Sequence, residues 1–369
     1  MRRIDRYILR QLAGPFVFFA ATLTGVIWIT QSLRFVDLII NKGLSAGLFF
    51  YLTMLILPGV WALILPIALF AAVLYTYYRL TADRELVVMG AAGLGPRALA
   101  SPALLLACGA VVLAYLMTLW LMPLGQRSFA NLKSDLRTNL SYVLLQEGAF
   151  NTIGSGLTVY VRSRGPEGAL LGILVHDGRE PGRPVTMMAE QGALIRTEQG
   201  PRLVLAAGNR QQVDRAGGQL SMLYFDRYTL DLEPFVRAGE THWREPSERY
   251  LTELFSPGDS PDDVANVGRL RAEGHDRLTA PLYGLAFAFI ALAAMFVGEF
   301  NRRGLGWRVA AAVGAAVFAR LVGLALVSLS AKTPLLAPLI YLNIAFAIGG
   351  AIWLMGRRER SSAPAAAAA

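Results

Sequence analysis

GLSAGLFFYLTMLILPGVWALILPIALFAAVLYTYY, residues Gly43 to Tyr78, contains no Asp, Glu, Lys or Arg. About 20 apolar residues cross the hydrocarbon core of a bilayer as a helix, so this stretch is a membrane span. It is longer than a straight span needs and carries Pro58 and Pro66. A kinked helix, or a short outer helix followed by a span, would use the extra length. The same test applied outward finds charge-free runs at 11–33, 98–126, 278–298 and 333–356, and a sixth at 309–331 broken only by Arg320. Residues 127–277 contain no such run. The order along the chain is three spans, a water-exposed domain, and three spans.

Charge orients this arrangement. Residues 124–276 carry 17 basic and 20 acidic side chains, whereas the rest of the chain carries 18 and 6. The basic excess gathers at Arg2, Arg3, Arg6 and Arg10, at Arg79, Arg84 and Arg97, at Arg302, Arg303 and Arg308, and at Arg357, Arg358 and Arg360. The opposite ends of the spans carry fewer, Arg34, Lys42 and Lys332 among them. Basic flanks mark the cytoplasmic side, so both termini are expected there and the polar domain on the other side. The net charge of +9 is thus topological and predicts no nucleic-acid partner. The first span has a basic front like a signal peptide, but its apolar run is long for a cleaved one, and it is expected to be retained.

Beyond Ser141 short extended segments replace the helical pattern: 157–162, 170–175, 184–189, 202–206 and 219–225. Turn signals separate them, such as Gly154-Ser-Gly156, Asp177-Gly178 and Gly217-Gly218. This spacing predicts an all-β, jelly-roll-like domain with strands over about 141–232. The expected organisation is therefore 1–126 for three transmembrane helices, 127–250 for the β domain, 251–277 for a helical connector, 278–357 for three further transmembrane helices, and 358–369 for a low-complexity tail expected to be disordered.

The chemistry-bearing residues are few. No phosphate-cradling Gly-x-x-x-x-Gly-Lys-Ser/Thr segment occurs, and no plausible catalytic triad is present. His176, His242 and His275 lack metal-ligand spacing and read as surface or turn residues. Cys108, the sole cysteine, falls in the third span. No cofactor and no catalytic role are expected. Directly after the long apolar run comes Leu80-Thr-Ala-Asp-Arg-Glu-Leu-Val-Val-Met-Gly-Ala-Ala-Gly93. Thr81 can cap a helix over about 81–92, Asp83 and Glu85 suit its positive end, Leu86, Met89 and Gly90 share a face, and Gly93 ends it. Arg34 and Asp37 lie three apart, on one face just beyond the first span. Arg34 is either an interfacial anchor or a ligand for an anionic headgroup. Arg320, midway along the fifth span, either touches an anionic substrate or pairs with a neighbouring helix.

Several of these segments resemble one family. Ile4-Asp-Arg-Tyr-Ile8, Arg34-Phe-Val-Asp37, Arg84-Glu-Leu-Val-Val-Met-Gly-Ala-Ala-Gly93, Arg277-Leu-Thr-Ala-Pro-Leu282 and the Arg-Arg-Gly loop at 302–304 look like the patterns of the LptF/LptG permeases of the bacterial lipopolysaccharide exporter. The N-terminal third leans toward the LptG branch, and the 277–283 and 302–304 segments toward LptF, which is the expected branch. The resemblance implies an inner-membrane, non-catalytic subunit of an ABC-type exporter. It would pair with a sister permease, be driven by a cytoplasmic ATPase dimer, and present its β domain in the periplasm to similar bridge domains. On this resemblance Asp83, Arg84, Glu85, Leu86, Met89 and Gly90 form the ATPase-coupling segment, with Glu85 matching the acidic residue that meets an arginine of the ATPase. The candidate lipopolysaccharide-binding residues are Arg34, which matches the family's basic contacts, its neighbour Asp37, and Arg320, which matches no motif. The alternative is a membrane-anchored scaffold for a periplasmic assembly. An ion-driven transporter would need ionisable groups in several spans, and only Arg320 is available.

Overall fold

The computed structural model describes residues 3–42, 46–143, 147–153, 156–165, 169–178, 180, 182–197, 200–214, 219–231, 243–297 and 305–366; for 34–42, 46, 133–143, 196–197, 200–201, 214 and 358–366 it describes the backbone alone. Two compact units result, one of residues 1–129 with 244–369 and one of residues 130–243.

The helices are α1 (Arg3–Lys42), α2 (Ala46–Ala82), α3 (Glu85–Ala91), α4 (Pro96–Leu116), α5 (Met122–Val143), α6 (Leu251–Phe255), α7 (Pro261–Thr279), α8 (Tyr283–Phe296), α9 (Leu305–Ser330) and α10 (Ala337–Ala366), all in the first unit except the part of α5 from residue 130 on. Among the described residues six helical stretches are long and apolar enough to cross a membrane: 3–33, 47–82, 96–132, 261–296, 305–330 and 334–357. α2 continues through Pro58 and Pro66 as one helix. The third span passes from α4 to α5 through a π-helical turn, Met117–Leu121. α10 continues to Ala366, into the alanine-rich stretch for which disorder was expected. Alanine has the strongest helix propensity of any residue, which favours the extension.

The fourth span departs most from its sequence reading. α8 has 14 residues, about 21 Å at 1.5 Å per residue, and so cannot cross alone. A 3₁₀ turn at Ala280–Leu282, containing Pro281, joins it to α7. The charge-free run 278–298 therefore begins in the last residues of α7, with Glu273, Asp276 and Arg277 directly before it. α8 is also the central helix: 61% of the most apolar window of its span is buried within the chain, against 6% for α1. Around it a core gathers Ile8 and Leu12 of α1, Leu69, Val73, Tyr77 and Leu80 of α2, Leu86 of α3, and Leu99 and Ala103 of α4.

The second unit is a six-stranded antiparallel sheet of β1 (Phe150–Ile153), β2 (Leu157–Arg164), β3 (Leu170–Asp177), β4 (Val185–Thr197), β5 (Gly200–Asp214) and β6 (Gln219–Asp231). Its strands lie in chain order. The all-β class is as expected. The connectivity is that of a meander, and the later strands are longer than their sequence segments.

A single sheet buries a core only by bending over itself, and the bend can be located. Regular pairing skips one level in four successive ladders, at Arg162 opposite Gly172, Gly172 opposite Glu190, Glu190 opposite Ala207, and Ala207 opposite Asp226. Gly172 and Ala207 have positive φ, 62° and 51°. Along the same line the inward face changes phase. β3 buries Leu170 and then Ile173 and Val175, and β4 buries Met187 and Ala189 and then Gly192. In β6, Phe225 packs inward on one side of the line, and Tyr228 and Leu230 on the other. Strict alternation would place half of each strand's apolar residues outside. The two-residue step at the crease keeps both halves turned toward Leu157, Val159, Val161, Leu203 and Leu205.

Candidate functional site

Two groups of residues in the helical unit stand out, one at the start of α1 and one around α8. The first is the corner formed by α1, the end of α2, and α3. The helix expected over about 81–92 is shorter here, because α2 runs on through Ala82. Thr81 does not cap α3; its hydroxyl donates to the Tyr77 carbonyl at 2.7 Å, inside α2. The break comes at Arg84, which has φ 61° and occupies the N-cap position of α3 with no side-chain cap bond. Gly93, with φ 88°, closes the far end and donates its N–H to the Gly90 carbonyl at 3.0 Å.

The expected shared face of Leu86, Met89 and Gly90 divides in two. Leu86 is 1% exposed and belongs to the core with Ile8, Leu12, Tyr77, Leu80 and Leu99, and Met89 packs against that core. Gly90 is exposed, as are Val87 and Val88 at 41% and 67%. Leu86 therefore fastens the helix and cannot be touched from outside, whereas the two valines, which the sequence reading passed over, form its outer surface. A two-sided apolar pattern on so short a helix was the available signal.

Asp83 is paired with Arg79 one turn earlier, at 3.6 Å, in an exposed position. Glu85 accepts a hydrogen bond at 3.0 Å from the Tyr7 hydroxyl of α1. The Tyr77 hydroxyl donates to the Leu99 carbonyl at 2.6 Å and its ring meets Phe296 edge-on, which joins the end of α2 to α4 and α8.

The second group surrounds Arg320 on α9. Its guanidinium lies 3.5 Å from the Asp276 carboxylate and 4.9 Å above the Tyr283 ring. Asn343 on α10 donates to the Tyr283 hydroxyl at 2.8 Å and to the Ala319 carbonyl at 2.9 Å. Glu273, Asp276, Arg277 and Arg320 line a cleft of about 210 Å³ together with Gly59 and Pro66 of α2. Arg277 is 2% exposed and fully engaged: Nη1 and Nη2 donate to the Arg249 and Pro246 carbonyls at 2.6 Å, and Nε to Glu273 at 3.1 Å. Two carboxylates and two guanidiniums balance in this cleft, as burial of charge requires. Arg320 on α9 is thus paired with Asp276 on α7. His275, expected at the surface, is half-buried between Phe255 and Tyr341, with Nδ1 3.0 Å from the Tyr341 hydroxyl.

A third feature is an apolar cleft of about 580 Å³ among α1, α2 and α4, lined by Val17, Thr24, Trp28, Met54, Trp61 and Leu113. The buried indole nitrogen of Trp61 has no hydrogen-bond partner among the described residues. The side chains of Arg34 and Asp37, together with His242 and the 302–304 loop, lie outside the described residues.

Six spanning helices, a short exposed helix in the loop between the second and third, and a separate β unit define a multi-pass membrane protein with an extramembrane domain. Residues 6–357 match the family described as lipopolysaccharide export system permease LptF/LptG, and the chain belongs to that family. It is 30% identical over 304 residues to an uncharacterized protein of Rickettsia prowazekii, covering 81% of this chain and 83% of the relative. It is 24% identical over 203 residues to the lipopolysaccharide export system permease protein LptF of Escherichia coli K12, and equally to that of Shigella flexneri. Those matches cover 54% of this chain and span about half the length of the relatives, 56%.

Proposed function

We propose that this protein is a permease subunit of an ABC-type exporter that takes lipopolysaccharide from the periplasmic leaflet of a bacterial inner membrane and passes it to periplasmic β-domain partners. Family membership over residues 6–357 is the observation that carries this reading. The subunit pairs with a sister permease and performs no ATP chemistry itself. A separate cytoplasmic ATPase dimer supplies the work.

The parts have a physical logic. Acyl chains need an apolar surface of the kind that α1, α2 and α4 provide in their cleft. Phosphates need guanidinium groups able to make paired hydrogen bonds, and Arg34 is the residue assigned that role, with Asp37 beside it. An anionic headgroup reaching Arg320 would have to displace Asp276, so Arg320 serves first to hold α9 against α7. Asp83, Arg84, Glu85, Met89 and Gly90, with Val87 and Val88, form the surface that the ATPase grips, and Leu86 bolts that surface to the spans. The excess of Arg at one set of helix ends supports a topology with both termini in the cytoplasm and the sheet in the periplasm.

Purification of the tagged chain from native membranes in mild detergent, with analysis of co-purifying proteins and lipid, tests this reading. Recovery of a second six-span permease, an ATPase and lipopolysaccharide is expected, with the ATPase lost in Glu85→Lys. Recovery of periplasmic proteins alone would favour the scaffold and overturn the exporter assignment.

A further inference from the structure

We infer that Tyr7 is a positioning residue for Glu85, and that through it the first span receives the thrust delivered to the coupling helix. The inference rests on the reading of α3 as the surface gripped by an ATPase.

α3 has seven residues, too few for a helix to be stiff or even stable by itself. It is joined to α2 through Arg84 and to α4 through Gly93, both at positive φ. A load applied to such a segment does not travel along its backbone; it leaves wherever side chains are anchored. Two anchors lie side by side. Leu86 is buried in the core to which Ile8 and Leu12 also belong, and Glu85 is bonded to Tyr7. On α1 the partners are consecutive, Tyr7 and Ile8, and on α3 they are consecutive as well, Glu85 and Leu86. One anchor is apolar and resists pulling away; the other is directional and resists rotation. The Thr76 hydroxyl, which donates to the Gln11 carbonyl at 3.3 Å, ties α2 to the same turns of α1.

The bond also prepares Glu85 for a partner. A phenol has one proton to donate and a carboxylate has two oxygens. Tyr7 occupies Oε2, which leaves Oε1 for an incoming cation on the partner. Arg79 on α2 is paired with Asp83. Fixing one rotamer of Glu85 in advance lowers the ordering cost of complex formation.

The test uses the complete complex of both permeases and the ATPase in proteoliposomes, with Tyr7→Phe, Glu85→Ala and the double variant. ATPase association and lipopolysaccharide released per ATP hydrolysed are measured in each. Tyr7→Phe keeps the ring and its packing, so the fold is retained. Loss of one such hydrogen bond should weaken association about fivefold and lower the lipid-to-ATP ratio, and in the Glu85→Ala background it should add nothing. If Tyr7→Phe matches the parent, or has the same effect with Glu85 present or absent, the positioning role is wrong while the coupling helix stands. If Glu85→Ala leaves association unchanged, the coupling-helix reading itself falls and takes this inference with it.

Discussion

The Tyr283 hydroxyl sits so close to Gly323 that a methyl group there would lie 1.8 Å from its oxygen. Asn343 donates to that same oxygen, so α8, α9 and α10 converge on one atom. Gly323→Ala is expected to destabilise the helical unit by about 1–3 kcal/mol, the usual range for overpacking. Tyr283→Phe should restore part of the loss in the double variant, because it removes the nearest atom. Thermal unfolding of the four proteins in detergent measures the non-additivity.

Arg277 donates to two backbone carbonyls and one carboxylate from a fully buried position. Arg277→Ala leaves the Arg249 and Pro246 carbonyls without this donor and the partly exposed Glu273 without its partner, and a loss of about 3–5 kcal/mol is expected. Arg277→Lys should recover only part, since an ammonium is a point charge and cannot span the fork. Comparing the unfolding midpoints of the three proteins decides whether the geometry or the charge matters.

Glu253 accepts from Arg127, whose guanidinium also lies over the Tyr250 ring at 4.1 Å. Burial pushes the carboxyl upward, but the hydrogen bonds from Arg127 and the Tyr250 N–H outweigh it and hold the group below its ordinary value of 4.5. A folded value below the unfolded one means stability that is present above pH 4.5 and lost as pH falls through the folded value. The group is 40% exposed, so the contribution is a small one. Glu253→Gln should flatten this part of the stability–pH curve, and unfolding midpoints between pH 3 and pH 6 (roughly the window around an ordinary carboxyl) would show it.

At the crease, Gly172 and Ala207 make opposite predictions. A side chain at 172 would be strained at φ 62° and would lie 2.9 Å from the Arg162 Cβ, so Gly172→Ala should cost about 1–2 kcal/mol. Ala207 already bears that strain at φ 51°. Ala207→Gly relieves it and loses some unfolded-state restriction, for a net effect between neutral and about 1 kcal/mol stabilising. Denaturant titration of the full chain, followed through the β-unit signal, tests both signs.

The spans were legible because a helix in lipid must be apolar along its whole length, so the absence of charge over 43–78 is enough to mark it. The exception, α8, shows where that logic stops. Its charge-free run begins directly after Asp276 and Arg277, and nothing local to Asp276 indicates that Arg320, 44 residues later, will neutralise it. The same non-locality hid the Tyr7–Glu85 bond, which joins residues 78 apart. Strands were found from alternation and turn residues, but alternation read segment by segment does not reveal that its phase slips at one common level in neighbouring strands. The cap assigned to Thr81 failed for a simpler reason. A hydroxyl near a helix end can equally bond back to the carbonyl four residues earlier, and α2 had not yet ended.

The crease also bears on how such a domain can change through descent. A hairpin tip can gain or lose residues without disturbing what it connects. One residue removed near Glu190 or Ala207 would instead turn every side chain on one side of the fold line inside out, in a strand whose neighbours hold the old phase. Length variation among relatives should therefore collect in the turns and avoid a narrow band crossing the sheet at Arg162, Gly172, Glu190, Ala207 and Asp226. An aligned set of family sequences would show that band as a gap-free column group, even where the residues themselves have drifted.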